Sequence, residues 1–426
     1  MKTNPATALY SAVVDYATKV KSFQPNARLY LMNVVVTGAT MGVFRLLFNF
    51  YVLSLGFNEA LLGSLITATS LTSLIAALPS GYLADLLGRK NSLLISASLI
   101  SLSILGMVLW PTEAVFYIMS ILSGVAQSLW AITMAPFLME NSGEKERTYL
   151  FALSSGLNMA MASAGSWIGG YLPTWMAGVR MVTATSSDAY GGALLITAMA
   201  AALGLIPLAM MRTPRLEKTE RSVFAPLAYA VKHPALLSRL ILPMLLTSIG
   251  AGLIMPFMNV FYRVVHHQPD TVIGALFAWG ALAMGIGLLL APPLADRMGK
   301  IQLVVITQAL SIPFLIILGF TQIFWLSAAA YYIRLALMNM SSPVYNTFVM
   351  ERVDPSARAT VASLVSMSWN FGWAFSPTVS GYMQVHYGFG PPFIGTIIFY
   401  MVSIYMYWAF FWKGKAPQEA EVIAES

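Results

Sequence analysis

The chain has 426 residues, a mean hydropathy of +0.72 and only 10% charged residues. Soluble proteins carry about 25% charged residues, so this composition excludes an ordinary soluble enzyme or binding domain. The net charge of +7 does not indicate a nucleic-acid partner, because nearly all basic residues fall in segments that we expect on one side of a membrane, as the positive-inside rule describes. The exceptions are Arg45, Arg180, Arg263 and Arg334.

In chain order, a polar segment, 1–28, comes first and is predicted to be cytoplasmic. Apolar runs of about 20 residues follow, the length that a helix needs to cross a hydrocarbon core about 30 Å thick. A polar linker, 212–235, separates the sixth run from the seventh, and a polar tail, 413–426, ends the chain. We predict an all-α polytopic membrane protein with twelve spans and both termini cytoplasmic. The predicted spans are 29–55, 60–83, 91–110, 115–139, 147–174 and 191–211, then 236–262, 271–293, 302–321, 323–349, 357–384 and 389–412.

A charged hairpin that follows the second span recurs after the eighth. Acids and arginines at the ends of the fourth and fifth spans also recur at corresponding places in the second half. Two parallel six-span bundles, 29–211 and 236–412, are therefore predicted, with a substrate site between them near mid-membrane. The hairpin residues are Gly81, Asp85, Gly88, Arg89 and Lys90 in the first copy and Asp296, Gly299 and Lys300 in the second, and the further pairs are Glu140 with Arg147 and Glu351 with Arg358.

The first hairpin fits the pattern Gly-x-x-x-Asp-x-x-Gly-Arg-Lys and so resembles the signature of the major facilitator superfamily of secondary transporters. The second copy departs from it, with Pro292 at the first glycine and Lys300 at the arginine. The resemblance covers essentially the whole chain. It implies the major facilitator fold, in which two six-helix bundles related by a pseudo-two-fold axis move a small solute by alternating access.

The resemblance also implies a role for the charged residues of both hairpins and for the acid–arginine pairs. In family members such groups make contacts between the two halves at the cytoplasmic face and hold the outward-open state as a conformational latch. The alternative is that they only orient the chain and seal helix ends.

A second resemblance lies in the fifth span. Residues 165–170, Gly-Ser-Trp-Ile-Gly-Gly, are similar to the Gly-Pro-x-x-Gly-Gly run of exporters in the superfamily, with Ser166 in place of the proline. This similarity favours export, and ordinary close packing of small residues between membrane helices is the alternative.

Two charged residues lie deep inside the predicted spans, Arg45 in the first and Arg334 in the tenth. Each is about ten residues from the outer end of its span, or about 15 Å at 1.5 Å per residue. A charge inside a membrane is costly and marks a functional site by default, and no Asp or Glu lies at comparable depth. Because a guanidinium matches carboxylates and phosphates, we predict that an anionic substrate supplies the missing charge. The alternative is structural: Arg45 bonds the carbonyls of a broken helix, and Arg334 is held by Tyr331 and Tyr332.

Polar neighbours on the first, fourth, seventh and tenth spans, which line the cavity in the family, complete the predicted substrate pocket. Each of them has the alternative role of joining helices by hydrogen bonds. They are Asn49, Gln127, Trp130, Asn259, Tyr262, Asn339, Tyr345 and Asn346. No cofactor and no metal are predicted, because the sequence has no cysteine, no ATP-binding Gly-x-x-x-x-Gly-Lys run and no histidine within a span.

We therefore expect a monomeric, multi-pass protein of the cell membrane that contacts the lipid bilayer and a small-molecule substrate. It is not expected to be an enzyme, because no nucleophile–base arrangement stands out in the spans. The preferred function is export or exchange of a small organic solute, anionic or amphipathic. The alternatives are a proton-coupled multidrug exporter with structural arginines, an importer of a nutrient anion, and a non-transporting receptor or lipid-handling protein.

Overall fold

The computed structural model describes residues 23–212, 234–353 and 358–413. Every regular element within these ranges is a helix, which confirms the predicted all-α class. Most of the predicted N-terminal segment, the linker and the C-terminal tail lies outside the described residues.

The helices follow the predicted apolar runs closely. Those of the first half are α1 (Pro25–Ser54), α2 (Glu59–Ile75), α3 (Ala77–Leu87), α4 (Arg89–Leu109), α5 (Glu113–Glu140), α6 (Glu144–Arg180), α7 (Ser187–Leu203) and α8 (Leu205–Met210). Those of the second half are α9 (Pro234–Ile254), a 3₁₀ turn (Met255–Phe257), α10 (Met258–Val264), α11 (Asp270–Met298), α12 (Lys300–Phe320), α13 (Phe324–Glu351), α14 (Arg358–Trp373), α15 (Ser376–Tyr387), α16 (Gly390–Tyr407) and a π-helix (Trp408–Lys413). Acidic residues in the first turns of α2, α5 and α11 complement the helix dipoles.

Eight helices within the described ranges are long and apolar enough to cross a membrane, or nine if α2 and the segment 79–87 form one span with a 63° bend. Two other helices, α6 with 37 residues and α13 with 28, have the length but a more polar composition. The finding establishes a multi-pass protein, and the count of twelve stays a prediction.

The chain divides by its contacts into two compact units. The first contains Met1–Leu47, Ile75–Ala184 and Asp188–Thr219, and the second contains Phe48–Leu74, Thr185–Ser187 and Glu220–Ser426. The boundaries 29–211 and 236–412 stay a prediction, because contacts group residues by their neighbours and not by the internal repeat of the chain.

Each unit has its own apolar core. In the first unit, Tyr30 on α1 lies 5.3 Å from Phe137 on α5, ring centre to ring centre, in a cluster that includes residues of α4, α6 and α8. In the second unit, Tyr345 on α13 lies 4.9 Å from Tyr407 on α16, amid residues of α9, α11 and α12. Close packing of these helices holds the positions of the polar side chains that they carry.

The two charged hairpins share one backbone conformation. Gly88, between α3 and α4, has φ 82° and ψ 156°, and Gly299, between α11 and α12, has φ 91° and ψ 149°. This region is essentially restricted to glycine, because a Cβ atom strains it. The glycine is therefore required by the turn in both copies. Gly81, by contrast, lies within α3 and has open space where a Cβ would be.

Helices α1 and α6 approach each other closely at the exporter-like run. A Cβ atom on Gly165 would collide with the backbone carbonyl of Ala39, and the Ser166 hydroxyl donates a hydrogen bond to the carbonyl of Gly42 at 3.3 Å. The serine that replaces the family's proline thus bonds the neighbouring helix. These contacts support the alternative interpretation, close packing of small residues. They do not contradict the exporter role.

We expect Gly165→Ala to lower the melting temperature of the detergent-solubilised protein. Backbone cannot yield as a flexible side chain does, so overpacking costs about 1–3 kcal/mol. The matched control is Gly156→Ala on the same helix, where a Cβ meets nothing within 4 Å. There the better helix propensity of alanine raises stability by up to about 1 kcal/mol. Equal effects of the two substitutions would show that α1 and α6 are not in tight contact.

Candidate functional site

Each charged hairpin is tied by its base to the end of a neighbouring helix. Arg89 donates from Nη1 to Asp85 Oδ1 at 2.7 Å and from Nε to Glu140 Oε1 at 3.1 Å. In the second copy, Lys300 pairs with Glu351, the counterpart of Glu140. The side chains of Asp85 and Glu140 are 49% and 43% exposed, so each pair contributes at most about 1 kcal/mol to stability. These pairs position the hairpins. Because each pair is weak, breaking it requires little free energy.

The other predicted latch residues are distributed differently. Lys90 donates to the carbonyl of Met211 at 2.6 Å. The Nε of Arg147 is buried and has no hydrogen-bond partner among the described residues. Asp296 is exposed, and the side chain of Arg358 lies outside the described residues. The latch role of the whole set stays a prediction.

Arg45 lies in the second half of α1, within a candidate membrane span. Its side chain is exposed in the described structure, although many protein atoms surround it. It makes no hydrogen bond and no ion pair with any residue that the structure describes. A guanidinium has five N–H donors and a permanent charge, so Arg45 offers an open cationic group deep within an apolar helix.

Arg334, on α13, is held quite differently. It is only 2% exposed. Its Nη2 donates to the hydroxyl of Tyr400 on α16 at 3.0 Å, and its Nη1 lies 3.6 Å from the sulfur of Met255. Its Nε has no hydrogen-bond partner in the described part of the chain. The predicted structural partners, Tyr331 and Tyr332, make no hydrogen bond to it.

The seventh predicted span is broken beside Arg334. Helix α9 ends at Ile254, and a 3₁₀ turn that contains Pro256 separates it from α10. Proline lacks an N–H and interrupts the α-helical hydrogen bonds. Asn49 forms hydrogen bonds with groups at this break. Its Nδ2 donates to the carbonyl of Pro256 at 2.8 Å and to Oδ1 of Asn259 at 2.9 Å. Both asparagines are buried, so their amides join elements of the second unit.

The segment Phe48–Leu74, which we call the α1–α2 corner, packs on residues that follow much later in the chain. Phe50 lies beneath the Arg263 guanidinium, 3.5 Å from ring centre to Cζ, and Arg263 pairs with Asp270. The hydroxyls of Thr67 and Thr378 lie 2.8 Å apart. Glycines permit close backbone approach here, because a Cβ on Gly63 would meet the carbonyl of Pro377 and one on Gly381 would meet that of Glu59. The corner therefore belongs to the second unit by direct contact.

Three of the predicted pocket residues do not bond to a neighbouring helix. Gln127 Nε2 donates to Ser123 Oγ at 3.2 Å, and Asn339 Nδ2 donates to the carbonyl of Leu335 at 2.8 Å, each one turn away on its own helix. Asn346 is exposed. The role of these three side chains in substrate binding stays a prediction.

Three others join helices. Trp130 on α5 stacks on Tyr30 of α1 at 6.0 Å between ring centres. The Tyr262 hydroxyl donates to the carbonyl of Ser327 at 3.3 Å, and the Tyr345 hydroxyl donates to a backbone carbonyl of α9. Tyr262 and Tyr345 are buried. Their structural role is therefore established, and a role in substrate binding stays a prediction.

The second unit brings Asn49 together with Asn259, and it places Arg334 beside the helix break. Arg45 belongs to the first unit. Sequence reasoning missed Tyr400 and Met255, the two partners of Arg334. The only signal for Tyr400 was a phenol hydroxyl in an apolar span, which requires a partner when buried.

A family model described as "Major Facilitator Superfamily" matches residues 30–377 and 240–426. One similar relative is "Multidrug resistance protein MdtG" of Proteus mirabilis (strain HI4320), 23% identical over 424 residues that span 93% of this chain and 98% of the relative. Another is the "Uncharacterized MFS-type transporter YhjO" of Bacillus subtilis (strain 168), 23% identical over 391 residues that span 87% of this chain and 86% of the relative.

Solved structures share the fold. The nucleoside transporter NupG superposes with a TM-score of 0.75 at 14% sequence identity, over 92% of this chain and 100% of the other. The xylose transporter XylE from E. coli, in an inward open conformation, gives a TM-score of 0.69 at 16% identity, over 94% and 98%. The predicted resemblance and the predicted fold are thereby confirmed, and the chain belongs to the Major Facilitator Superfamily.

Proposed function

We propose that this transporter exports or exchanges a small organic solute, anionic or amphipathic, across the cell membrane. In the proposal the chain crosses the membrane twelve times, both termini are cytoplasmic and the transporter acts as a monomer. Export is supported by the relatives that are named multidrug resistance proteins. It is also supported by the similarity of residues 165–170 to the run found in exporters.

The accessible charge of Arg45 is the observation that carries the anionic substrate class. A cation deep in a membrane span is costly unless a counter-charge is present, and none of the described acids pairs with it. A carboxylate or phosphate of the substrate would neutralise it with two parallel hydrogen bonds. We propose Arg45 as the primary anion anchor and Arg334 as the second.

A multidrug exporter in which the arginines are structural is the second candidate. It is supported by the names of the relatives and by the burial of Arg334 against Tyr400 and Met255. The abundant methionine, 26 residues, would provide adaptable apolar walls for varied ligands.

We further propose that the α1–α2 corner forms the outer gate of the transport path. In alternating access, contacts at one face must break when the site opens to that face. The corner is held by the paired threonines, Thr67 and Thr378, by close approaches of glycine to backbone, by the hydrogen bonds of Asn49 and by Phe50 beneath Arg263, and none of these contacts is an ion pair. Such a contact can open and close without a large energetic penalty.

A thermal-stability panel tests the proposed substrate class. We expect anionic probes, for instance phenyl phosphate, benzoate, citrate and lysophosphatidic acid, to raise the melting temperature of the purified protein in detergent. A ligand at about 100 times its dissociation constant stabilises the folded state by about 2.7 kcal/mol. Tetraphenylphosphonium and ethidium serve as cationic probes. Stabilisation by the cations alone would contradict the anionic class and support the multidrug exporter.

A further inference from the structure

The three nitrogen atoms of the buried Arg334 guanidinium differ in their contacts: one makes a hydrogen bond, one makes a weak contact, and one has no partner among the described residues. Nη2 donates to the Tyr400 hydroxyl, Nη1 faces the sulfur of Met255, and Nε has no partner among the described residues. A buried donor that is left unsatisfied opposes folding, because it has lost its hydrogen bond to water and gained none in the protein. A guanidinium with open donors of this kind is suited to bind an oxygen atom of a ligand, which the protein itself does not supply.

Tyr400 is held firmly in place. Its side chain is buried, and its ring packs against α9 at Gly250, where a Cβ atom would lie 2.8 Å from a ring carbon. One turn earlier on α16, the Thr396 hydroxyl donates to the carbonyl of Gly250 at 2.8 Å. The absence of a side chain at Gly250 thus leaves space for the Tyr400 ring. The Thr396 hydrogen bond holds α9 and α16 together beside the ring.

The chemistry of the two partners explains what this arrangement achieves. A tyrosine hydroxyl is neutral when it accepts a hydrogen bond, so Tyr400 orients the guanidinium and leaves its positive charge uncompensated. An Asp or Glu in the same place would cancel the charge. The Met255 thioether is a weak acceptor, so an incoming oxygen displaces it with little loss.

We propose that Tyr400 is a positioning residue that presents Arg334 to an anionic oxygen of the substrate, of the carboxylate or phosphate class. Tyr400 holds the Nη2 group, and the anionic oxygen of the substrate takes the open Nε donor or displaces the Met255 sulfur from Nη1. Because Met255 lies in the 3₁₀ turn between α9 and α10, a movement at this break uncovers Arg334. This proposal rests on the proposed function.

Two complementary variants test the role of Tyr400. Tyr400→Phe removes the hydroxyl and keeps the ring, whereas Gly250→Ala keeps the hydroxyl and displaces the ring. The dissociation constants of benzoate and of its neutral counterpart benzamide are measured for both variants by titration of melting temperature and by calorimetry. We expect each variant to weaken benzoate binding about 5- to 20-fold and to change benzamide binding less than 2-fold. A purely structural role would weaken both ligands equally.

A double-mutant cycle with Arg334→Ala completes the test. Once the guanidinium is absent, Tyr400→Phe should cause no further loss of benzoate binding, since residues that act through one another are not additive. Additive losses would overturn the positioning role, and so would unchanged benzoate binding in Tyr400→Phe. If neither benzoate nor any other anion of the panel binds the unmodified protein, this proposal and the anionic substrate class both fail. Binding that survives Tyr400→Phe removes the positioning role alone.

Discussion

Oxidation of a protein that carries Thr67→Cys and Thr378→Cys is expected to reduce transport at least ten-fold, and a reductant is expected to restore it. The two threonine hydroxyls lie 2.8 Å apart, so sulfur atoms at these positions can reach bonding distance. If the α1–α2 corner is the outer gate, this contact must open in every cycle, and a covalent bond there prevents it. The chain contains no cysteine, so no background cross-link arises.

The matched control is the pair Thr247→Cys and Ser403→Cys. These hydroxyls also lie 2.8 Å apart, but they join α9 and α16 in the same predicted bundle and should not separate. Both cross-links are formed with a membrane-permeant oxidant, verified by the mass of the intact protein and assayed in proteoliposomes. The gate hypothesis fails if the fully cross-linked Thr67–Thr378 protein transports as fast as its reduced form.

Replacing Arg45 by leucine is expected to stabilise the protein and to remove anion binding at the same time. An unpaired charge in an apolar helix opposes folding, so its loss should raise the melting temperature by a few degrees. Loss of one partner of a desolvated charge pair costs about 2–5 kcal/mol of binding. We therefore expect affinity for the best anionic probe to fall at least about 30-fold.

Two further variants sharpen this expectation. Arg45→Lys keeps the charge and loses the planar fork that matches a carboxylate, so it should retain part of the affinity. Arg180→Leu is the control, since Arg180 at the end of α6 donates to the carbonyl of Asp188 at 3.2 Å and to no other group in the described part of the chain. It should leave anion binding within two-fold. A melting temperature that falls in Arg45→Leu, with unchanged anion binding, would show that Arg45 is structural.

The repeated hairpin is a structural feature that local sequence is able to predict. Gly88 and Gly299 adopt nearly the same positive φ. The reason is that the conformation of such a short turn depends on the residues next to it in the chain. The bases that follow, Arg89 and Lys300, bond acids at corresponding helix ends. The repeat in sequence therefore predicted a repeat of the glycine turn and of the bond between base and helix end, although the first glycine is replaced by Pro292 and the base is lysine in the second copy.

The two arginines of the predicted spans illustrate what local sequence does not decide. The sequence predicts a similar depth and no carboxylate neighbour for both, which makes them equivalent candidates. The structure separates them: Arg45 is accessible, whereas Arg334 is buried against Tyr400, 66 residues further along the chain. Partners at such separations are chosen by helix packing, which no local pattern encodes.

Asn49 is a second residue whose partners depend on helix packing and not on local sequence. Its polarity in an apolar span predicted a ligand contact, but its amide bonds Pro256 and Asn259, far along the chain. By itself, the sequence determined the membrane setting, the helices and the hairpin turns, because hydropathy, helix length and backbone conformation depend on neighbouring residues. Only the tertiary structure decided which polar groups are satisfied and which remain open to a ligand, because that depends on the side chains that other helices bring to each one.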